Sequence, residues 1–301
     1  MTGLVAAVEL GGTRAAVTIG DAPDRCHEPV ALPTTTPDET LARITGALEA
    51  LVREGQAFDR IGVASFGPLG VEPGRADWGR MGKTPKLGWS DADIAGVLQA
   101  RFGVSVVIDT DVNAAAIGEG RWGAARGVRS HAYVTVGTGV GIGVVVEGRP
   151  VHGLAHPEAG HLLPRRLGGD TFAGVCPWHG DCLEGLISGP ALKARLGFPA
   201  DDLGEDHDVF RLAGDYLGAA LSSIVLVACP ERIVVGGGVG RRPAVLAAAR
   251  VALARSLNGY VPQVADREAD FLSPPQLGAH SGLFGAMALA LNSTDGLQSF
   301  A

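Results

Sequence analysis

The chain is short of sulfur and of aromatic residues: among 301 residues there are four Cys and three Met, and Phe, Trp and Tyr together make 5%. A chain this long can bury a large core without covalent staples. The few cysteines therefore do not read as a disulfide framework. The amino terminus carries no secretory pattern, which sets the expectation of a reducing, cytoplasmic compartment. Long apolar runs are also lacking. None approaches the roughly 20 residues that a membrane helix needs, so no membrane partner is expected. Nor is there an excess of positive charge: 25 Lys and Arg face 32 Asp and Glu, for a formal net charge of −7. A nucleic-acid surface usually shows a basic footprint, so no nucleic-acid partner is expected. Small anions remain open as ligands, because backbone amides can bind them.

Glycine is what the chain has in excess. It contributes 45 of 301 residues, about twice the usual share of roughly 7%. The glycines gather in tight turns beside strand patterns. Leu4 to Leu10 is a buried-strand pattern, Gly11-Gly12-Thr13 breaks it, and Arg14 to Ile19 resumes extended character, a hairpin signal. The pattern recurs as Ala132 to Val136, the turn Gly137-Thr138-Gly139-Val140-Gly141, and Ile142 to Val146. Two separated copies of one unit predict two similar domains with a cleft between them. Between the copies, Thr36-Pro37-Asp38-Glu39 reads as a helix start, with Thr36 as cap and Glu39 closing a capping box, and the helix runs to about Arg53. Arg60 to Ser65 and Val104 to Ile108 read as strands, with a helix opening at Ser90 to Asp93. Later, Asp208–Ala228, Pro243–Leu257 and Leu283–Leu291 read as helices, and Arg232 to Val235 as a strand ending in Gly236-Gly237-Gly238. This alternation predicts α/β layers. The expected domains are 1–112 and 113–301, with the last helix packing back on the first.

Residues 156–184 hold a soft-ligand set: His161, Cys176, His179 and Cys182. Zinc prefers tetrahedral thiolate and imidazole ligation. The two-residue gaps let Cys176, His179 and Cys182 converge from one turn, with His161 completing the set. The competing reading makes Cys176 and Cys182 free core thiols or a disulfide. Cys26 and Cys229 read as ordinary buried thiols, and His27, His131, His152, His207 and His280 are given no role. Glu158 and Glu184 flank the ligands, so a metal that folds this loop also fixes those carboxylates.

Asp109-Thr110-Asp111-Val112-Asn113 follows a strand and precedes Ala114 to Glu119, a helix. Carboxylates at the carboxyl end of a strand sit where α/β proteins place active sites. Capping of the helix by Asp109 or Asp111 explains the same residues equally well.

Taken together, these motifs resemble the ROK family of sugar kinases, within the actin/hexokinase-like ATPase fold. Glu9 to Arg14 resembles that family's opening phosphate motif, and Asp111-Val112-Asn113-Ala114-Ala115 its catalytic Asp segment. Thr135 to Gly141 resembles its second phosphate motif, Glu158 to His161 with the Cys/His cassette its zinc and sugar signature, and Val235 to Val239 its adenosine-side motif. Ser65-Phe66-Gly67-Pro68, Thr84-Pro85-Lys86-Leu87-Gly88-Trp89 and Cys176 to Cys182 look closest to the bacterial fructokinases. Three positions depart from the usual pattern: Thr110 stands where Asn is common, His179 where a third cysteine is common, and Arg14 where Lys is commoner.

The resemblance implies a two-domain fold of ribonuclease H-like duplicated lobes about a central cleft, and ATP-dependent phosphorylation of a hexose, fructose to fructose 6-phosphate in first place. It implies Asp111 as catalytic base. Gly11, Gly12, Thr13, Gly137, Thr138 and Gly139 would hold the phosphates of Mg-ATP, and Gly237 and Gly238 would border the adenosine. Asn113, Glu158, His161 and Glu184 would bind sugar hydroxyls, while His161, Cys176, His179 and Cys182 would hold a structural zinc. A homodimer is expected. A broader glucose or mannose kinase is the alternative. A sugar-sensing repressor is disfavoured, because the first phosphate hairpin starts at residue 4 and the charge is acidic.

Overall fold

The structure, a computed structural model, describes residues 3–55, 57–265 and 267–292. The chain forms two compact units. The first takes the residues up to Arg126, the segment Pro150–His156 and the segment from Ala279, and the second takes Gly127–Arg149 and Pro157–Gly278.

The first unit is built on a sheet of β1 (Val5–Leu10), β2 (Arg14–Ala22), β3 (Arg25–Cys26), β4 (Val30–Pro33), β5 (Arg60–Ser65) and β6 (Ser105–Thr110). Its order is β3-β2-β1-β5-β6, with β4 also on β2. β1 and β2 pair antiparallel, closed by Gly11 N to Arg14 O at 2.9 Å. β1, β5 and β6 run parallel. The helices of this unit begin with α1 (Pro37–Arg53), α2 (Ile94–Phe102) and α3 (Asp111–Trp122). Thr36 caps α1 with Pro37 behind it, as the sequence predicts. The Glu39 carboxylate, however, accepts from Thr35 Oγ1 at 2.6 Å, a neighbouring hydroxyl that competes for the capping-box role.

The second unit carries β7 (His131–Val136), β8 (Val140–Val146), β9 (Arg149–Pro150), β10 (Arg232–Gly236) and β11 (Leu272–Ser273), in the order β11-β10-β7-β8-β9. Its helices are α4 (Leu183–Ile187), α5 (Gly189–Leu196), α6 (Asp208–Ala228), α7 (Pro243–Leu257), α8 (Pro262–Ala265) and α9 (Glu268–Phe271). By length and composition α6 is apolar enough to cross a bilayer, with mean hydropathy 1.4. Its apolarity serves the core: Phe210, Tyr216, Leu217 and Leu221 are fully buried, and the helix packs on α7 and α4.

The last helix, α10 (Ser281–Asn292), packs on α3, β1 and β5. The division between units therefore differs from the expected boundary at residue 112, which would cut α3 after its second residue. α3 stays whole because it lies against α10 and β5. The α3–α10 contact is backbone on backbone. A Cβ on Gly285 would stand 1.9 Å from the Ala114 carbonyl oxygen, and one on Gly118 would stand 2.8 Å from the Gly285 amide. Neither helix can yield without moving the strands beneath it.

Overpacking of a close-packed site costs about 1–3 kcal/mol. Gly285→Ala is expected to lower stability by at least that amount. Gly46→Ala on the exposed side of α1, with nothing within 4 Å of its added Cβ, is expected to be neutral or slightly stabilising. Thermal unfolding of the two variants decides this, and equal melting temperatures would contradict the packing argument.

Candidate active site and metal centre

Strand register assembles the first half of the site. Leu10 stands beside Ser65, and Ser65 beside Thr110, so the carboxyl ends of β1, β5 and β6 finish level. That edge is where parallel α/β sheets place ligands. Gly11, Gly12 and Thr13 leave β1 there as an exposed turn whose carbonyls are tied back. Thr34 Oγ1 donates to Gly11 O (2.9 Å), Thr34 N to Thr13 O (3.1 Å) and Lys86 Nζ to Gly12 O (2.7 Å). Among the described residues, the Gly12 and Thr13 amides have no hydrogen-bond partner. Lys86 is brought in by its loop, which Trp89 anchors: Trp89 is fully buried, packs edge-on against Phe66 and donates from Nε1 to Thr35 O at 2.8 Å.

The same edge carries the acidic residues. Thr110 caps α3 by accepting from Asn113 N (3.2 Å). Its hydroxyl is buried and spent on the cap. Asp111 opens the helix, half-buried, with Oδ1 accepting from Val112 N at 2.9 Å. An anion at this position is favoured by the helix dipole. Asp109 is buried. Its Oδ1 accepts from Thr110 N (2.7 Å) and Asn113 Nδ2 (2.8 Å), and its Oδ2 pairs with His152 Nε2 (3.0 Å). Asn113, expected at the sugar, is only 1% exposed, with its amide turned inward to Asp109. It orders the carboxylate because it lies one helical turn beyond Asp109. Glu9, register neighbour of Ala64 and through it of Asp109, reaches the start of α10 and accepts from the Leu283 N–H. Burial, and then the nearby Asp111 charge, push Glu9 up to about 7, against the pull of that N–H.

The second unit repeats the device with different partners. Gly137 N donates to Gly139 O (2.9 Å), Gly189 N to Gly137 O (2.7 Å), and Val140 N to Glu184 Oε2 (3.1 Å). Glu184 thus holds the turn that Gly137, Thr138 and Gly139 form. β10 runs parallel to β7 with Gly236 beside Thr135, which sets Gly237 and Gly238 next to this turn. Gly237 has φ +83°, and a Cβ there would lie 2.3 Å from the Val136 carbonyl oxygen, so the position requires glycine. Glu158, exposed, precedes the short turn Ala159–His161, which packs on β8.

His161, Cys176, His179 and Cys182 converge: one ligand atom from each lies within 4.8 Å of all the others. The His161 Nδ1–Cys182 Sγ separation is 3.4 Å, and Cys176 Sγ stands 3.7 Å from both His161 Nδ1 and His179 Nδ1. Zinc–sulfur bonds near 2.3 Å and zinc–nitrogen bonds near 2.0–2.1 Å in a tetrahedron put ligand atoms about 3.4–3.8 Å apart, so these three separations suit that ion. A tight turn builds it. Cys176 and Gly180 exchange backbone hydrogen bonds, and Cys182 stands at the residue before α4. All four cysteines are free thiols, and the disulfide reading falls. Cys229 is exposed and Cys26 half-buried, against the expectation for both. The segment between His161 and Cys176 is pinned by Asp170. This carboxylate accepts from both Arg195 Nη atoms (3.0 and 2.9 Å), Tyr216 Oη (2.5 Å) and Phe172 N (3.1 Å). Arg195, chiefly, holds Asp170 well below the usual carboxylate range.

The expected residues thus gather in two sets. Gly11, Gly12, Thr13, Asp111 and Asn113 share one edge of the first unit. Gly137, Thr138, Gly139, Gly237, Gly238, Glu184, Glu158 and the four soft ligands share the second unit. Sequence reasoning missed the contacts of Glu9 and Lys86, the pairing of Asp109 with His152, and the Asp170–Arg195–Tyr216 clasp. Lys86 lies in a quoted motif and Glu9 in another. His152 and the clasp join residues 25 or more apart along the chain with no periodic signal between them.

The ROK family profile matches residues 5–293. The chain is 40% identical over 288 residues to a fructokinase of Zymomonas mobilis, covering 94% of this chain and 95% of the relative. It is similar in structure to a ROK hexokinase from Thermus thermophilus, with a TM-score of 0.74 and 30% identity, covering 97% of this chain and all of the other. It is also similar to a ROK glucokinase from Streptomyces griseus solved with glucose and AMPPNP, with a TM-score of 0.74 and 26% identity over 96% of this chain and 99% of that one. The profile takes in both units, from the first strand to the last helix, and the chain belongs to the ROK family.

Proposed function

We propose that the chain is a hexose kinase that transfers the γ-phosphoryl group of Mg-ATP to fructose, giving fructose 6-phosphate. The observation that carries this reading is Asp111 at the first position of α3, on the strand edge that also presents the Gly11-Gly12-Thr13 turn. Phosphoryl transfer depends mainly on positioning and on electrostatic stabilisation. In this reading Asp111 orients the attacking sugar hydroxyl and accepts its proton. The amides of Gly12, Thr13, Thr138 and Gly139 hold phosphate oxygens, and Gly237 and Gly238 border the nucleotide. Glu158, His161 and Glu184 address sugar hydroxyls. Asn113 acts from behind, by holding Asp109.

The Cys/His set is assigned to a structural zinc ion, held by His161, Cys176, His179 and Cys182. The ion supplies folding energy to a loop with little core of its own. The ligand spacing and free thiols support this assignment. The kinship to the Zymomonas mobilis fructokinase supports fructose, and the likeness to the glucokinase supports the broader hexose reading.

Asp111→Asn is expected to lower kcat by at least about a hundredfold, the scale of a lost general base, with little change in nucleotide affinity. Near-normal turnover would move the role to another carboxylate. Purified protein is expected to hold about one zinc per chain. Stripping the metal should lower both activity and melting temperature, and full activity in zinc-free protein would end the assignment. In side-by-side kinetics at saturating Mg-ATP, fructose is expected to exceed glucose in kcat/KM by at least about tenfold, roughly 1.4 kcal/mol of discrimination. Equal or better use of glucose would move the assignment to a general hexokinase.

A further inference from the structure

His152 lies on Pro150–His156, the one stretch between Gly127 and Gly278 that belongs to the first unit. Two histidines clip that stretch in place. His156, buried, accepts from Leu69 N through Nε2 at 3.0 Å. His152, with 27% of its side chain exposed, meets Asp109, whose side chain is 4% exposed. A buried carboxylate is costly unless it is paired and hydrogen-bonded.

The proton positions follow from the partners. Asn113 Nδ2 donates to Asp109 Oδ1 at 2.8 Å and lies 3.2 Å from His152 Nε2. Were Nε2 to accept from that amide, its lone pair would also face Asp109 Oδ2 at 3.0 Å, two acceptors in contact. With a proton on Nε2, both nitrogens aim at one carboxylate and every atom of the triangle is satisfied. The charged groups facing His152 are both anionic, Asp109 from β6 and Glu72 from the segment between β5 and α2. The hydrogen bond to Asp109 raises the imidazole above its ordinary value, burial opposing it.

We propose that His152 is a positioning residue for the phosphoryl transfer: it holds the buried Asp109 carboxylate, and through Asp109 it fixes Thr110, Asn113 and the first turn of α3, which carries Asp111. The proposal rests on the kinase reading above. His152 does not touch the reacting atoms. It acts on the aim of Asp111, where small misplacements of reacting groups cost large factors in rate. Because the pair raises the imidazole, the ionic part of its hold is present while the ring is charged and Asp109 ionised, and is lost as pH rises through the folded-state value, while the Nε2–H bond to Asp109 persists in the neutral ring.

The test uses the full chain in wild-type, His152→Ala, His152→Gln and Asp109→Asn forms. His152→Ala is expected to lose about tenfold to a hundredfold in kcat, with KM for ATP little changed. The Gln variant, whose amide offers Asp109 a donor without a titrating charge, is expected to keep turnover nearer the wild type. It should also lack the alkaline fall in kcat expected of the wild type as the imidazole charge is lost. A proton NMR titration should place the His152 imidazole above its ordinary value in the wild type and lower in Asp109→Asn. Wild-type turnover in His152→Ala overturns the proposal. So does an alkaline limb unchanged in His152→Gln, or an unshifted His152 imidazole in an active kinase. Should His152→Ala fail to fold, the Gln variant and the titration carry the decision. If the wild type phosphorylates no hexose, the kinase reading fails and this role fails with it.

Discussion

The contact of α3 with α10 constrains much of the first unit. The two helices meet at their backbones, where the Ala114 carbonyl faces Gly285. Acidic residues of the candidate site stand at their amino-terminal ends. α3 starts with Asp111 at the end of β6, and α10 starts where Glu9 from the end of β1 meets the Leu283 N–H. Interiors this dense transmit displacement instead of absorbing it. A shift of either helix would move a carboxylate. The glycine content, unusual as composition, is in part the consequence of such approaches.

Four acidic residues in the two sites share one solution. Asp109 takes the Thr110 N–H, Asp111 the Val112 N–H, Glu184 the Val140 N–H and Glu9 the Leu283 N–H. Each bond sits where the backbone begins a helix or a strand and has an N–H to spare. The backbone thereby tolerates an acidic centre in a protein that is itself acidic. Asp109 additionally recruits a side chain that can carry positive charge. Glu9, beside Asp111 and less well compensated, rises to about 7.

What could be read from the sequence was local. The Thr36 cap with Pro37, the hairpins around residues 11 and 137, the helices over 208–228 and 243–257, and the Cys/His spacing each follow from rules acting over a few residues, and each stands in the structure. What escaped depends on register and return paths. The boundary moved from residue 112 because α3 is held by a helix 170 residues later. The bond from the Asn113 amide to Asp109, one turn back and buried, was not announced by any local rule. His152 and the Asp170 clasp join distant positions through tertiary packing, which no spacing announces.

The most direct measurement is identification of the product by phosphorus NMR after incubating the purified chain with Mg-ATP and fructose. The account predicts fructose 6-phosphate and ADP in equal amounts, with little free phosphate. Free phosphate without sugar phosphate, or no turnover with fructose, glucose or mannose, would contradict it.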